Sequence, residues 1–254
     1  MQKQHETNVQ NQFGPRAEAY VASAVHATGE DLARISERAA ATEPKHAIDL
    51  GCGGGHVAYA LAPYAEKVTA TDLSPAMLAA VAQAATARGL ANIATVEASV
   101  EDLPFEDATF DFLGCRYSAH HWLNVEQGLS EARRVLKPDA PAIFVDVYAP
   151  ARPLLDTHLQ CVELLRDTSH VRDYALAEWL DMLARCGFEI DACRTWRLKM
   201  EFATWTDRMA TPPHFRDAIR ALQQSAADDV KAHFAIEDDG SFMLDMLMIE
   251  ARAH

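Results

Sequence analysis

The stretch Ile48-Asp49-Leu50-Gly51-Cys52-Gly53-Gly54-Gly55 decides how this chain is read. Residues 47–50 form a short apolar strand, 51–55 a glycine-rich turn, and a helix starts near His56 and ends before Pro63. Glycines at a strand-to-helix turn permit positive φ and let a ligand approach the backbone closely. Gly53, Gly55 and Ala58 satisfy the G-x-G-x-x-A dinucleotide fingerprint, so the turn alone admits more than one nucleoside. Charge separates the candidates. NAD would bring a pyrophosphate dianion beside the Asp49 carboxylate, which repels it. S-adenosylmethionine carries an ammonium and a sulfonium and no phosphate, so the same carboxylate attracts it. Asp72 ends the next strand, about 20 residues on, where such folds place a carboxylate on ribose hydroxyls.

Outward from this turn the pattern alternates. Strands are expected at 67–71, 93–97, 110–115 and 142–147, with helices at 75–87 and 124–136. Ser74 caps the first of these helices, Pro75 opens it and Gly89 ends it. Strands alternating with helices imply right-handed crossovers and a largely parallel sheet. Before it, residues 1–13 read as a polar leader, and 17–27 and 31–41 as Ala-rich helices. Beyond Pro150, helices are expected at 154–165, 175–186, 204–209 and 215–224, with extended pieces at 188–192 and 194–200. The last strand, 242–251, is placed antiparallel beside 188–192. The division is a helical cap over 1–45, a cofactor-binding core over 46–150, and a C-terminal part with lid helices over 151–254. The fold class is α/β: a doubly wound, Rossmann-like, mostly parallel seven-stranded sheet with an antiparallel last strand.

Several motifs resemble those of class I S-adenosylmethionine-dependent methyltransferases. Residues 48–55 resemble the first motif, Thr71-Asp72-Leu73-Ser74-Pro75-Ala76-Met77-Leu78 the second, and Val100-Glu101-Asp102-Leu103-Pro104-Phe105 with Phe110-Asp111 the third. Glu131-Ala132-Arg133-Arg134-Val135-Leu136-Lys137-Pro138 resembles the helix and turn before strand five. Over residues 10–150 the resemblance is closest to the branch containing the ubiquinone and menaquinone C-methyltransferases. Phe13 to Tyr20, Arg116-Tyr117-Ser118-Ala119-His120-His121 and Arg166-Asp167-Thr168-Ser169-His170-Val171-Arg172 are also similar to a bacterial subgroup of methyltransferase-like proteins. The resemblance implies S-adenosylmethionine as cofactor and S-adenosylhomocysteine as product. It places Asp49, Gly51, Cys52, Gly53 and Arg116 at the methionine end, Asp72 at the ribose, and Leu73, Met77, Ser99, Val100 and Glu101 at the adenine, with Tyr20 as a cover. Ser99 stands where many members carry Asp, which leaves adenine contacts to the Val100 backbone and Glu101. Asp139-Ala140 replaces the usual Gly-Gly after Lys-Pro, in a turn away from the expected site.

Methyl transfer is an in-line displacement, so the main task is alignment, with a base where the acceptor arrives neutral. His120 and His121 follow the fourth strand at the carboxyl edge of the sheet and are the candidate catalytic residues, His120 as base. Tyr117, Arg166, His170 and Arg172 are the candidate substrate-binding residues, the last three on a lid that takes an anionic or carbonyl-rich acceptor.

Composition narrows the partner. A net charge of −14 from 23 Lys and Arg against 37 Asp and Glu disfavours nucleic acid and anionic membranes. Five cysteines without C-x-x-C spacing suggest neither a disulfide framework nor a metal site. The N-terminus lacks the build of a secretory signal, so the expected location is cytoplasmic. The expectation is methyl transfer to an O, N or C nucleophile of a small aromatic or heteroaromatic metabolite. A non-catalytic S-adenosylmethionine-binding sensor or partner protein, and a nicotinamide-dependent dehydrogenase, share the same turn. Oligomeric state is not legible.

Overall fold

The structure is a computed structural model, described over residues 2–21 and 28–254. One seven-stranded sheet runs through it in the order β3-β2-β1-β4-β5-β7-β6. The parallel strands are β1 (His46–Leu50), β2 (Lys67–Asp72), β3 (Ile93–Glu97), β4 (Phe112–Arg116) and β5 (Pro141–Val147). β6 (Phe188–Met200) and β7 (Phe242–Ala253) complete it, with β7 antiparallel to both β5 and β6. Strands β1 to β5 are linked by α4 (His56–Leu61), α5 (Pro75–Ala87) and α6 (Val125–Val135), numbered after three helices N-terminal to the sheet, α1 (Gln2–Phe13), α2 (Ala17–Val21) and α3 (Glu30–Thr42). Ser74 Oγ accepts from Met77 N at 3.3 Å, so the cap and Pro75 start α5 where the sequence places them.

Strand order reverses at β1, whose neighbours β2 and β4 lead to opposite sides of the sheet. Ligands of doubly wound sheets bind in the crevice outside the carboxyl ends of the strands at this switch. Ile48, Leu113 and Phe144 are fully buried between the sheet and α6 and α8 (Leu176–Arg185). On the other face Val68, Ala70 and Phe112 pack against α3 (Glu30–Thr42), α4 and α5. Each large core side chain contributes about 1.5–3 kcal/mol, which holds the strand ends in register.

The C-terminal half adds α7 (Pro153–Arg166), α9 (Phe202–Arg208), α10 (Pro213–Ser225) and α11 (Asp228–Phe234). These helices and β7 share a separate core of Leu155, Leu159, Trp205, Ile219, Phe234 and Met246. Three local readings are corrected. Residues 188–200 form one strand rather than two pieces, with only a register irregularity between Ile190 and Ala192. Residues 228–234 are helical because Val230 and Phe234, four apart, are buried behind an acidic first turn. The polar leader is α1 (Gln2–Phe13), in which Val9 is the one buried residue. Side-chain bonds hold it down: Gln10 Nε2 donates to the Leu73 carbonyl at 2.7 Å and Asn8 Nδ2 to the Thr168 carbonyl at 2.8 Å. Such an anchor has no apolar period to read. Of the helix expected at 17–27, Ala17–Val21 is α2, and 22–27 lies outside the described residues. Among the described residues no helix is long and apolar enough to cross a membrane.

Candidate functional site

A cleft of about 1020 Å³ lies over the carboxyl ends of β1 to β4. Its floor is the turn after β1. Gly51 has φ +60°, and a Cβ there would collide with the Ser118 side chain, so any other residue is strained at this position. Gly53, φ +48°, has open space where its Cβ would be, which leaves its backbone bare to a ligand. Asp72 closes one side. Its Oδ2 accepts from Gly53 N and its Oδ1 from Ser74 N, each at 2.9 Å. The carboxylate is thereby aimed, with lone pairs left for a pair of vicinal hydroxyls. Leu73, Met77, Ser99, Val100 and Glu101 form the wall beyond it. Ser99 Oγ accepts from Glu101 N at 3.3 Å, and Glu101 Oε1 from Asn124 N at 2.8 Å.

The opposite wall is Arg116 and Tyr117, after β4. Arg116 Nε pairs with Asp31 Oδ2 of α3, both side chains being buried, and its guanidinium lies 4.3 Å from the centre of the Tyr117 ring. Tyr117 has φ +56°, a left-handed conformation that a non-glycine residue adopts at a cost of about 1–3 kcal/mol. Its N–H donates to the Val145 carbonyl at 2.8 Å, which helps hold the turn. The roof is Gln2, His5, Glu6, Val9 and Phe13 of α1, with Tyr20 of α2.

A second cavity of about 670 Å³ adjoins the first, and Phe13, Tyr20, Tyr117 and His121 line both. One wall is apolar: Val147, Leu198, Met200, Trp205, Leu244 and Met246. The other is charged: His120, Glu163, Arg166, Asp167, Asp173 and Arg208. His120 Nδ1 donates to Asp146 Oδ1 at 2.6 Å. Burial alone would lower the His120 pKa, but the charge and hydrogen bond of Asp146, with Asp173 and Glu163, raise it to about 9. Its neighbour His121 moves the other way, lowered by burial and by the His120 charge, and is neutral. His121 Nδ1 donates to the Ser169 carbonyl at 3.1 Å. Burial also pushes the Glu163 and Asp173 carboxyls up. Donor atoms of His120, Asp146 and Asp173 lie within 4.8 Å of one another, and Oδ2 of each aspartate is buried without a hydrogen-bond partner.

A family model described as a methyltransferase domain matches residues 48–144. The uncharacterized methyltransferase YcgJ of Bacillus subtilis is 34% identical over 224 residues, 88% of this chain and 88% of that protein. The chain is a class I S-adenosylmethionine-dependent methyltransferase. The crystal structure of YcgJ superposes with a TM-score of 0.82 at 30% identity, covering 88% of this chain and 97% of that one. BH2331 of Bacillus halodurans C-125 gives 0.85 at 32% identity, covering 89% and 99%. The uncharacterized protein YafE of Escherichia coli K12 is 46% identical over 201 residues, 79% of this chain and 97% of that protein. The C-methyltransferase UbiE of Brucella anthropi is 34% identical over 113 residues only, 43% of each chain. S-adenosylmethionine is the cofactor of this methyltransferase. The cleft suits it: a bare glycine backbone after β1 and a carboxylate, Asp72, aimed where ribose hydroxyls would lie.

The methyltransferase fold brings together most of the residues singled out from the sequence. Tyr20, Gly51, Cys52, Gly53, Asp72, Leu73, Met77, Ser99, Val100, Glu101 and Arg116 all line the cleft, and His120, His121, Tyr117 and Arg166 the second cavity. Three lie elsewhere. Asp49 is buried under the turn, where its Oδ2 accepts from Ala58 N at 2.9 Å and burial raises its pKa to about 7. It braces the turn from below instead of facing the ligand. His170 is buried behind His120, its Nε2 donating to Gln160 Oε1 at 3.0 Å. Arg172 points outward to Asp156 at 3.1 Å and Glu178 at 3.6 Å. The expected lid is therefore a brace: the N–H groups of Val171 and Arg172 donate to the His120 carbonyl at 2.8 and 3.2 Å. Sequence reasoning missed Asp31, Asp146, Glu163, Asp167, Asp173 and Arg208. Asp146 alone carried a signal, a lone acid inside the apolar strand β5.

Proposed function

We propose that the protein methylates an O, N or C nucleophile of a small aromatic or heteroaromatic metabolite, with His120 as the proton acceptor. The observation that carries this reading is the second cavity, joined to the cofactor cleft through four shared residues. The cofactor, when bound, supplies an electrophilic methyl carbon on its sulfonium. The chain's own residues do the rest. Asp72 and the Gly51–Gly53 backbone hold the nucleoside and amino-acid ends, and Arg116, fixed by Asp31, flanks the latter. Phe13, Tyr20, Tyr117 and Trp205 give a flat acceptor ring aromatic faces, and the methionines fit around it. His120, oriented by Asp146, removes the acceptor proton as the bond to the methyl carbon forms. The net charge of −14 favours such a substrate over a nucleic acid.

The test is a coupled assay for S-adenosylhomocysteine release with a panel of phenols, catechols, indoles and heteroaromatic thiols and amines. The expected result is turnover of at least one ring compound, with a mass gain of one methyl group in the product. Turnover confined to aliphatic acceptors would overturn the aromatic assignment. Tight cofactor binding with no transfer to any acceptor would turn the chain into a sensor.

A further inference from the structure

His121 ends the short turn after β4 and lines both cavities, and Asp167, directly after α7, lines the second. Their hydrogen bonds decide which of their atoms are left over. Asp167 Oδ1 accepts from Ser169 N at 2.8 Å and from Ser169 Oγ at 2.6 Å. The Ser169 carbonyl lies 3.1 Å from His121 Nδ1 and can only accept, so Nδ1 carries the ring proton. The Ser169 hydroxyl, 3.4 Å from the same nitrogen, has its own proton on Asp167 and does not compete. In a neutral His121, as burial and the His120 charge make it, Nε2 is then an acceptor.

His121 Nε2 faces Asp167 Oδ2 at 3.9 Å, too far for a hydrogen bond. Burial alone would raise the Asp167 pKa, but His121 and the Ser169 bonds lower it, so the carboxyl is ionised. Two acceptors therefore look at each other across a gap. Among the described residues Asp167 Oδ2 is buried without a hydrogen-bond partner, on a side chain only 2% exposed. Its chain neighbour Arg166 is turned to other groups, with Nε on the Trp205 carbonyl at 3.1 Å and Nη1 on Glu163 at 3.4 Å. A buried carboxylate oxygen without a donor is costly, and it persists where a ligand or an ordered water supplies one. One atom bearing two hydrogens can bridge acceptors at this spacing and satisfy both. A hydroxyl has a single hydrogen and would leave one of them bare.

We propose that His121 Nε2 and Asp167 Oδ2 form a subsite for a primary amino group, so that the methyl acceptor is an aromatic or heteroaromatic compound carrying an NH2 substituent close to its nucleophile. One N–H goes to the carboxylate oxygen and the other to the imidazole nitrogen, and the amino group stays uncharged. The nucleophile falls at His120, whose ring centre is 4.2 Å from that of His121, which sets the two substituents on neighbouring or next-neighbouring ring atoms. Phe13, edge-on to the His121 ring with centres 5.0 Å apart, holds that ring from the roof. A site built around such N–H donors rejects an analogue that lacks them, because its acceptors are then left buried and unpaired. This assignment rests on the acceptor role given to the cavity above.

The experiment is calorimetric titration of the purified protein, saturated with S-adenosylhomocysteine, with matched ring compounds. The probes are 2-aminophenol against 2-fluorophenol, and 3-aminophenol against 3-fluorophenol, in which fluorine replaces the amino group without donating. In at least one pair the amine is expected to bind about tenfold tighter or more, the scale of a hydrogen bond to a charged group. Asp167→Asn keeps an acceptor on Ser169 but turns a donor into the gap, so it should bring the amine down to the level of its fluoro partner. Should Asp167→Asn fail to fold, His121→Phe, which keeps a ring and removes the other acceptor, carries the comparison and should reduce the preference. Equal affinities in both pairs, which a water filling the gap would give, would overturn the proposal. So would a tighter fluorophenol, no binding by any probe at millimolar concentration, or an amine preference that survives these variants. Failure to bind S-adenosylhomocysteine would sink the methyl-transfer reading along with it, whereas binding it without amine preference would sink this one alone.

Discussion

The cofactor cleft and the second cavity, the proposed acceptor site, share Phe13, Tyr20, Tyr117 and His121 but are built on different principles. The cleft is laid down mainly by backbone. Its floor and carboxylate come from consecutive strand ends, inside a segment, 48–144, that a general methyltransferase model covers. The acceptor cavity draws its charged wall from 120, 163–173 and 208, and its apolar wall from β6, α9 and β7 as well as Val147. Almost all of that lies beyond the shared segment. Backbone geometry at a topological switch suits one invariant ligand, whereas side chains gathered from distant elements can be exchanged without disturbing the sheet. The same contrast explains why a match to UbiE over 43% of the chain bears on the donor and not on the acceptor.

The comparison breaks most directly at Asp72. Asp72→Ala removes the aimed carboxylate and leaves Gly53 N and Ser74 N without their acceptor. Affinity for S-adenosylhomocysteine should fall about a hundredfold or more, by calorimetry, from the loss of charge-assisted hydrogen bonds at about 1.5–3 kcal/mol each. A loss under fivefold would mean that the glycine turn alone carries the nucleoside. His120→Gln tests the other half. It should lower kcat by about 10²–10⁴ with S-adenosylhomocysteine affinity held within about twofold. If both fall together, the two cavities act as one unit and the division is wrong.

Asp146→Asn sharpens the account of His120. With its pKa at about 9, the wild-type imidazole is largely protonated at pH 7, so kcat/KM should rise with pH and level off near 9. Without the Asp146 charge, burial dominates and the limb should shift below the ordinary His value of 6.5. Stability has the opposite sign. A pKa raised in the fold means that the ion pair stabilises fully below about pH 6.5 and that this contribution is lost as pH rises through about 9. The melting temperature of the wild type relative to Asp146→Asn should therefore shrink across that window. A pH profile indifferent to Asp146 would remove His120 from the proton path.

The donor half was legible because its signals are local. A strand, a glycine turn and a cap occupy consecutive residues, and Asp72 follows at a set interval. The strands β1 to β5 followed from the same alternation. The second cavity was legible where it adjoins that core, at Tyr117, His120 and His121, and beyond it at Arg166 alone. Arg208 sits at the end of a short helix whose docking on β7 no periodicity reveals, and Glu163 reads as one polar position on an amphipathic helix. Asp49 was misplaced for a related reason. Residue spacing says that a carboxylate is near the turn but not on which side of it, and the alternation of β1 turns this one inward.

The smallest expected effect is at Arg172, where sequence and structure part company. Three basic residues, Arg166, His170 and Arg172, in one short segment suggested contact with the acceptor, yet the Arg172 side chain is 38% exposed and paired with Asp156 and Glu178. Exposed pairs of this kind contribute about 0–1 kcal/mol. What the loop gives the site is backbone: N–H groups of residues 171 and 172 on the His120 carbonyl, which every substitution except proline leaves in place. Arg172→Ala should therefore keep kcat/KM within about twofold and shift stability by less than about 1 kcal/mol. Arg172→Pro, which deletes one of those N–H groups and restrains the residue before it, should damage turnover far more than cofactor binding. If alanine proves as harmful as proline, the side chain reaches the acceptor in the working enzyme and the loop is a lid after all.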